Sequence, residues 1–185
     1  MKLPLVFAML AGSCAAQAQT RVLFLDRTSG AQTVWVLDDL NANGTFEEPA
    51  ELAVYFNNAT GISPPMATPA SIAVRASDGA VAVGDSSTTV RGVYLLRDLN
   101  RNNTAADFGE SDLVVGLGNA SGITLNSPLG LVFDAAGTLY VSNSGATGTQ
   151  DAVYKLTDLD ADGRYMSPGE VTEFVGAPFF GSGNG

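Results

Sequence analysis

The chain has 185 residues, no histidine, one cysteine and a formal charge of −10. Its nine basic residues are scattered singly against nineteen acidic ones, which excludes a nucleic-acid surface built on phosphate neutralisation. The missing histidine excludes Ser-His-Asp and Cys-His chemistry and His-ligated transition-metal sites.

Residues 1–18 read as a signal peptide. Met1-Lys2 is a short positive start, Leu3 to Ala11 an apolar core, and Ala16-Gln17-Ala18 a small-x-small cleavage site. Export to the periplasm or the extracellular space follows. The rival reading is a lipoprotein anchored at Cys14, but Ala11-Gly12-Ser13 lack the large aliphatic residue such a site has three places upstream. The apolar core is too short to span a bilayer, so no transmembrane segment is expected. Cleavage after Ala18 removes the only cysteine, leaving stability to packing and to bound metal.

From residue 19 onward the chain alternates short β-branched and aromatic runs with turn-rich segments, and no stretch has a helical period. Arg21–Asp26 and Thr33–Leu37 read as strands. An acidic loop follows, running from Asp39 to Glu51, and then a strand over Leu52–Phe56. The next unit pairs two strands around a glycine turn (69–86), continues through a strand over Gly92–Leu96 and a second acidic loop (Asp98 to Glu110), and ends in a strand over Leu113–Leu117. The third repeats this: a glycine-turn pair over 128–144, a strand over Ala152–Leu156, a loop from Asp158 to Glu170, and a strand over Val171–Val175. The loop starts are 59 and 60 residues apart, so the chain reads as repeats over about 19–60, 61–120 and 121–180.

The three loops share one grammar. Asp or Asn stands at loop positions 1, 3 and 5, and Gly44, Asn103 and Gly163 stand at position 6, where a left-handed turn is needed. Alternating oxygen side chains before a sharp turn are what a hard cation requires. An EF-hand closes with Glu at position 12 between helices; here Glu closes at position 13 between strands, in all three copies. This is a separate loop geometry on a long hairpin connection. Each loop is expected to bind one Ca²⁺, up to three in all. The ligands are Asp39, Asn41, Asn43, the Thr45 carbonyl and Glu51; Asp98, Asn100, Asn102, the Thr104 carbonyl and Glu110; and Asp158, Asp160, Asp162, the Arg164 carbonyl and Glu170. The bland alternative is a polar, Asx-rich hairpin loop. The third loop, with most Asp, should bind tightest.

The segment Pro128-Leu-Gly-Leu-Val-Phe-Asp134-Ala-Ala-Gly137-Thr-Leu-Tyr-Val-Ser-Asn143-Ser144 resembles the NHL repeat, shared in looser form with SMP-30/gluconolactonase-like β-propellers. The copy at 69–86 resembles it with Ser71 and Arg75 in place of the usual Gly and Asp. The resemblance covers about half of each repeat and implies an all-β, β-propeller-type array of about three four-stranded blades, an incomplete ring and a fragment. A homodimer closing a six-bladed ring is the alternative. The inserted loops resemble a variety found in exported bacterial propellers. Asp26, Asp85 and Asn143 match the family residue that ties strand ends to turns.

No catalytic or organic-cofactor residue is assigned. Lys155 alternates outward on a strand, the clustered carboxylates are taken up by the loops, and Trp35, Tyr94 and Tyr154 read as core aromatics. The expected function is a secreted calcium-binding scaffold engaging a protein or carbohydrate partner. The resemblance also admits a fragment of an SMP-30-like hydrolase or lactonase whose Glu/Asn/Asp metal trio lies in missing blades.

Overall fold

The computed structural model describes residues 21–27, 32–60, 62, 64–145 and 151–176. The predicted signal peptide, Cys14 and the carboxyl-terminal residues 177–185 lie outside these. Among the described residues, eleven strands form three antiparallel sheets. The first holds β1 (Arg21–Asp26), β2 (Thr33–Asp38) and β3 (Leu52–Phe56) in that order. The second holds β4 (Pro69–Val74), β5 (Val81–Asp85), β6 (Gly92–Leu96) and β7 (Ser111–Val115). The third holds β8 (Pro128–Phe133), β9 (Leu139–Asn143), β10 (Ala152–Leu156) and β11 (Val171–Val175). Among the described residues there is no α-helix, only 3₁₀ turns at Pro49–Glu51 and Asn58–Thr60. No helix there is long and apolar enough to cross a membrane.

The repeat extends to the irregularities. The ladder slips between Val34 and Trp35, between Val93 and Tyr94, and between Val153 and Tyr154, at one place in each copy. β1 pairs with β2 in the register that β5 makes with β6, so the first sheet holds the last three strands of the four-stranded pattern. One boundary differs from the expectation at 113–117. β7 begins at Ser111, directly after Glu110, because Leu96 pairs with Ser111 and the Arg97 N–H donates to the Glu110 carbonyl (2.7 Å).

Strand alternation sends side chains into two cores. Val81, Val83, Tyr94 and Leu96 of the second sheet pack with Val34, Val36, Tyr55 and Phe56 of the first. Ala82, Val93 and Leu95, on its other side, pack with Leu139, Val141 and Leu156 of the third. Every residue of β5 and β6 is buried, which explains their unbroken apolar runs. Fully burying a side chain such as Leu96 is worth about 1.5–3 kcal/mol. A lone hairpin is at best marginal in water, so these inter-sheet cores carry the fold.

Strand ends are tied by buried acceptors. The Asp85 carboxylate accepts from the Ala67, Thr68 and Ser87 N–H groups at 2.7, 3.1 and 2.7 Å. Asn143 Oδ1 accepts from Ser127 N at 3.0 Å. Both residues take the tying role expected of them.

Candidate metal centres

Each acidic loop joins two neighbouring strands of one sheet, and its first residue follows the end of β2, β6 or β10 closely. The backbone is left-handed at positions 4 and 6 of every loop, and again at position 12 of the second and third (Gly109, φ +84°; Gly169, φ +82°). Position 4 has φ of +55° (Ala42), +62° (Arg101) and +61° (Ala161). Position 6 has φ of +81° (Gly44), +71° (Asn103) and +82° (Gly163). These kinks turn the intervening side chains inward.

The first and third side chains fold the loop onto itself. In the first loop, Asp39 accepts from Asn43 N (3.0 Å) and Gly44 N (2.8 Å), and Asn41 Oδ1 accepts from Asn43 N (3.0 Å). In the second, Asp98 accepts from Asn102 N and Asn103 N and Asn100 from Asn102 N, all at 3.0 Å. In the third, Asp158 accepts from Gly163 N (2.9 Å) and Asp160 from Asp162 N (3.2 Å). At position 5, Asn43, Asn102 and Asp162 accept from the N–H of position 7 at 2.7, 3.1 and 2.7 Å. Carboxylate oxygens of Asp158, Asp160 and Asp162 lie within 4.8 Å of one another, and all three residues are exposed. The Ser167 hydroxyl, donating to Asp160 at 2.7 Å, is the main cause holding the Asp160 carboxyl below its usual range.

The closing glutamates sit lower, and all three are buried. Glu51 accepts from Leu40 N and Glu48 N, both at 3.1 Å. Glu110 accepts from Leu99 N (2.8 Å), Asn100 N and Asp107 N (both 3.2 Å). Glu170 accepts from Leu159 N (2.9 Å) and Ser167 N (2.7 Å). The carboxylate thus clamps loop positions 2 and 10 together. A carboxylate has about four lone-pair sites, so each keeps at least one beyond these bonds.

Position 10 is a contributor that the sequence reading passed over. Asp107 accepts from the Asn100 and Asn102 amides at 2.7 and 2.8 Å, and Ser167 takes the matching place over Asp160. In the sequence the only trace is that Glu48, Asp107 and Ser167 all bear a side-chain oxygen at that position.

At position 7 the Thr45 hydroxyl stays within its loop, donating to Asn43 Oδ1 at 2.7 Å, while Thr104 and Arg164 turn away from theirs. Thr104 Oγ1 donates to the Tyr55 carbonyl (2.9 Å), and the Arg164 guanidinium pairs with Asp112 (2.7 Å). Position 8 carries the loop across to the preceding sheet. Ala105 N donates to the Tyr55 carbonyl on β3 at 2.8 Å, and Tyr165 N to the Val114 carbonyl on β7 at 2.7 Å. The second and third loops are therefore anchored on two sheets at once.

The aromatics expected in the core divide. Tyr94 is fully buried, donates its hydroxyl to the Pro64 carbonyl (2.8 Å) and has its pKa raised by burial. Tyr154 is half-buried against the second core. Trp35 is half-buried and stacks on Phe24 with ring centroids 6.4 Å apart. Lys155 is half-buried on β10, opposite Tyr140.

No family model, curated protein or solved structure matches this chain.

Proposed function

We propose that the chain is an exported, calcium-stabilised β-scaffold of propeller type, whose three loops take one Ca²⁺ each and whose surface engages a protein or carbohydrate partner. The observation supporting this most directly is the convergence of the Asp158, Asp160 and Asp162 oxygens on one loop frame that recurs in the other two copies. The donor set is oxygen throughout, which suits a hard cation and suits thiophilic metals poorly. Asp39, Asn41, Asn43, Glu51 and their counterparts would hold the ion, with Thr45, Thr104 and Arg164 offering carbonyls. A bound Ca²⁺ would supply positive charge where backbone N–H groups and the Ser167 hydroxyl offset the clustered carboxylates.

The lactonase-type reading would need a carboxylate and amide trio on a ring axis. Among the described residues the acidic trio within ligand range lies in a loop between strands, which favours the scaffold. The test is thermal melting of the purified chain with millimolar calcium and with chelator, paired with terbium luminescence sensitised through Tyr165 beside the third loop. Calcium should raise the melting temperature and quench terbium emission by competition. An unchanged melting temperature with no terbium signal reduces the loops to polar hairpins.

A further inference from the structure

We infer that this chain self-associates head to tail, laying the outer face of its first sheet on the outer face of the third sheet of a second copy. Inside one chain the same joint is made twice. A loop residue at position 8 donates its N–H to the carbonyl of the fourth residue of the preceding sheet's last strand: Ala105 to Tyr55, and Tyr165 to Val114. Beneath each joint the back of one sheet packs on the front of the previous one.

Both halves of a third such joint stand unjoined at opposite ends of the array. Phe46 is the position-8 residue of the first loop and is half-buried. Phe174 is the fourth residue of β11 and is 60% exposed, where its counterparts Tyr55 and Val114 are 2% and 0%. Neither Phe46 nor Phe174 makes the joint's bond among the described residues. The faces follow suit. Val22 and Phe24, each 39% exposed, match Val81 and Val83 of the second sheet, which are fully buried, and Trp35 matches buried Tyr94. Across the gap, Val132 stands 58% exposed, and Phe174 meets Tyr140 edge-on at 5.1 Å.

Contiguous exposed apolar surface of this kind marks an interaction site. What covers it is indicated by continuity with the two existing joints, since the first sheet's back is built to receive a front like the third sheet's. Such a joint is heterologous: it closes a ring if the rotation between copies allows and otherwise extends as a filament.

The test is sedimentation of the full chain at 10–100 µM on the scale where weak homomeric contacts report, with Phe46→Asp and Phe174→Asp. The wild type should sediment as two or more chains. Each variant, checked for native circular dichroism, should raise the dissociation constant at least about tenfold, since a buried unpaired charge costs more than one 1.4 kcal/mol decade. An equimolar mixture of the two variants should restore association, because the intact back of one meets the intact front of the other. If either variant misfolds, Val22→Asp and Val132→Asp are read the same way. A wild type that stays a single chain, a variant that keeps the wild-type mass, or a mixture that stays monomeric overturns the inference; a single-chain result would mean that a different polypeptide segment covers these faces.

Discussion

At the residue scale, the loop head and the loop closure do different work. Asp39 and Asp98 each accept two backbone N–H groups, so those loops are partly ordered by their own hydrogen bonds. The third loop brings three carboxylates together with fewer such bonds, and like charges this close repel. Asp160→Ala should therefore remove more calcium-dependent stability than Asn41→Ala. A site at 100-fold saturation contributes about 2.7 kcal/mol, and about 1 kcal/mol moves the melting temperature of a chain this size by roughly 2–4 °C. Melting both variants with and without calcium checks the order. The tyrosines set an upper pH limit. Burial, helped by the nearby Asp98 charge, pushes the Tyr55 pKa up to about 12, and burial raises Tyr94 and Tyr165 as well. Groups with raised folded pKa values keep their contribution below the unfolded pKa of about 10 and lose it as pH climbs toward the folded one. Stability should thus decline from about pH 10 to 12, with tyrosinate absorbance lagging behind that of the unfolded chain; simultaneous titration in both states would refute this. Positions 1, 3, 5 and 6 were legible because their chemistry is periodic. Position 10 was not, because Glu, Asp and Ser share only an oxygen.

At the element scale, the loops act as rivets between sheets as well as connections within them. Tyr165 is 7% exposed and belongs to the core shared by the second and third sheets. Tyr165→Ala should cost about 3–5 kcal/mol, as for other large aromatics truncated in a core, read as a lower urea midpoint at unchanged slope. The innermost strands approach as closely at Gly84. A Cβ there would lie 2.7 Å from the Pro128 carbonyl oxygen of β8, beside the 2.6 Å bond from Ser71 Oγ to that same oxygen. Gly84→Ala should accordingly destabilise by about 1–3 kcal/mol, and a neutral result would mean that β8 can retreat. Ten of the eleven strands are legible from apolar runs bounded by turn residues. β7 was placed two residues late because Leu113–Leu117 is the more apolar window, whereas pairing starts immediately after the clamped Glu110. The other two copies start their strands at that same place, after Glu51 and Glu170.

At the scale of the whole molecule, the second sheet is packed on both sides and the other two on one side each among the described residues. Amide hydrogen exchange should be slowest in β5 and β6, whose residues are all buried, and faster in β1 and β11; uniform protection across the three sheets would contradict this. Which face of each sheet meets which neighbour was not legible in the sequence, because alternation gives two apolar faces without saying what lies on either. The two internal joints share their backbone bond and differ in volume. Tyr55 on β3 goes with Ala105, and the smaller Val114 on β7 goes with Tyr165. Large therefore meets small in one joint and small meets large in the next. The repeats consequently carry an address. Removing residues 61–121 would splice two similar Asn-Ala-(Thr/Ser)-Gly-Ile segments without a seam in the chain, yet it would set Tyr165 against Tyr55, a pairing that neither internal joint makes. Copies that share a backbone can thus be told apart by bulk alone, and the order of the repeats along the chain is written into their side-chain volumes.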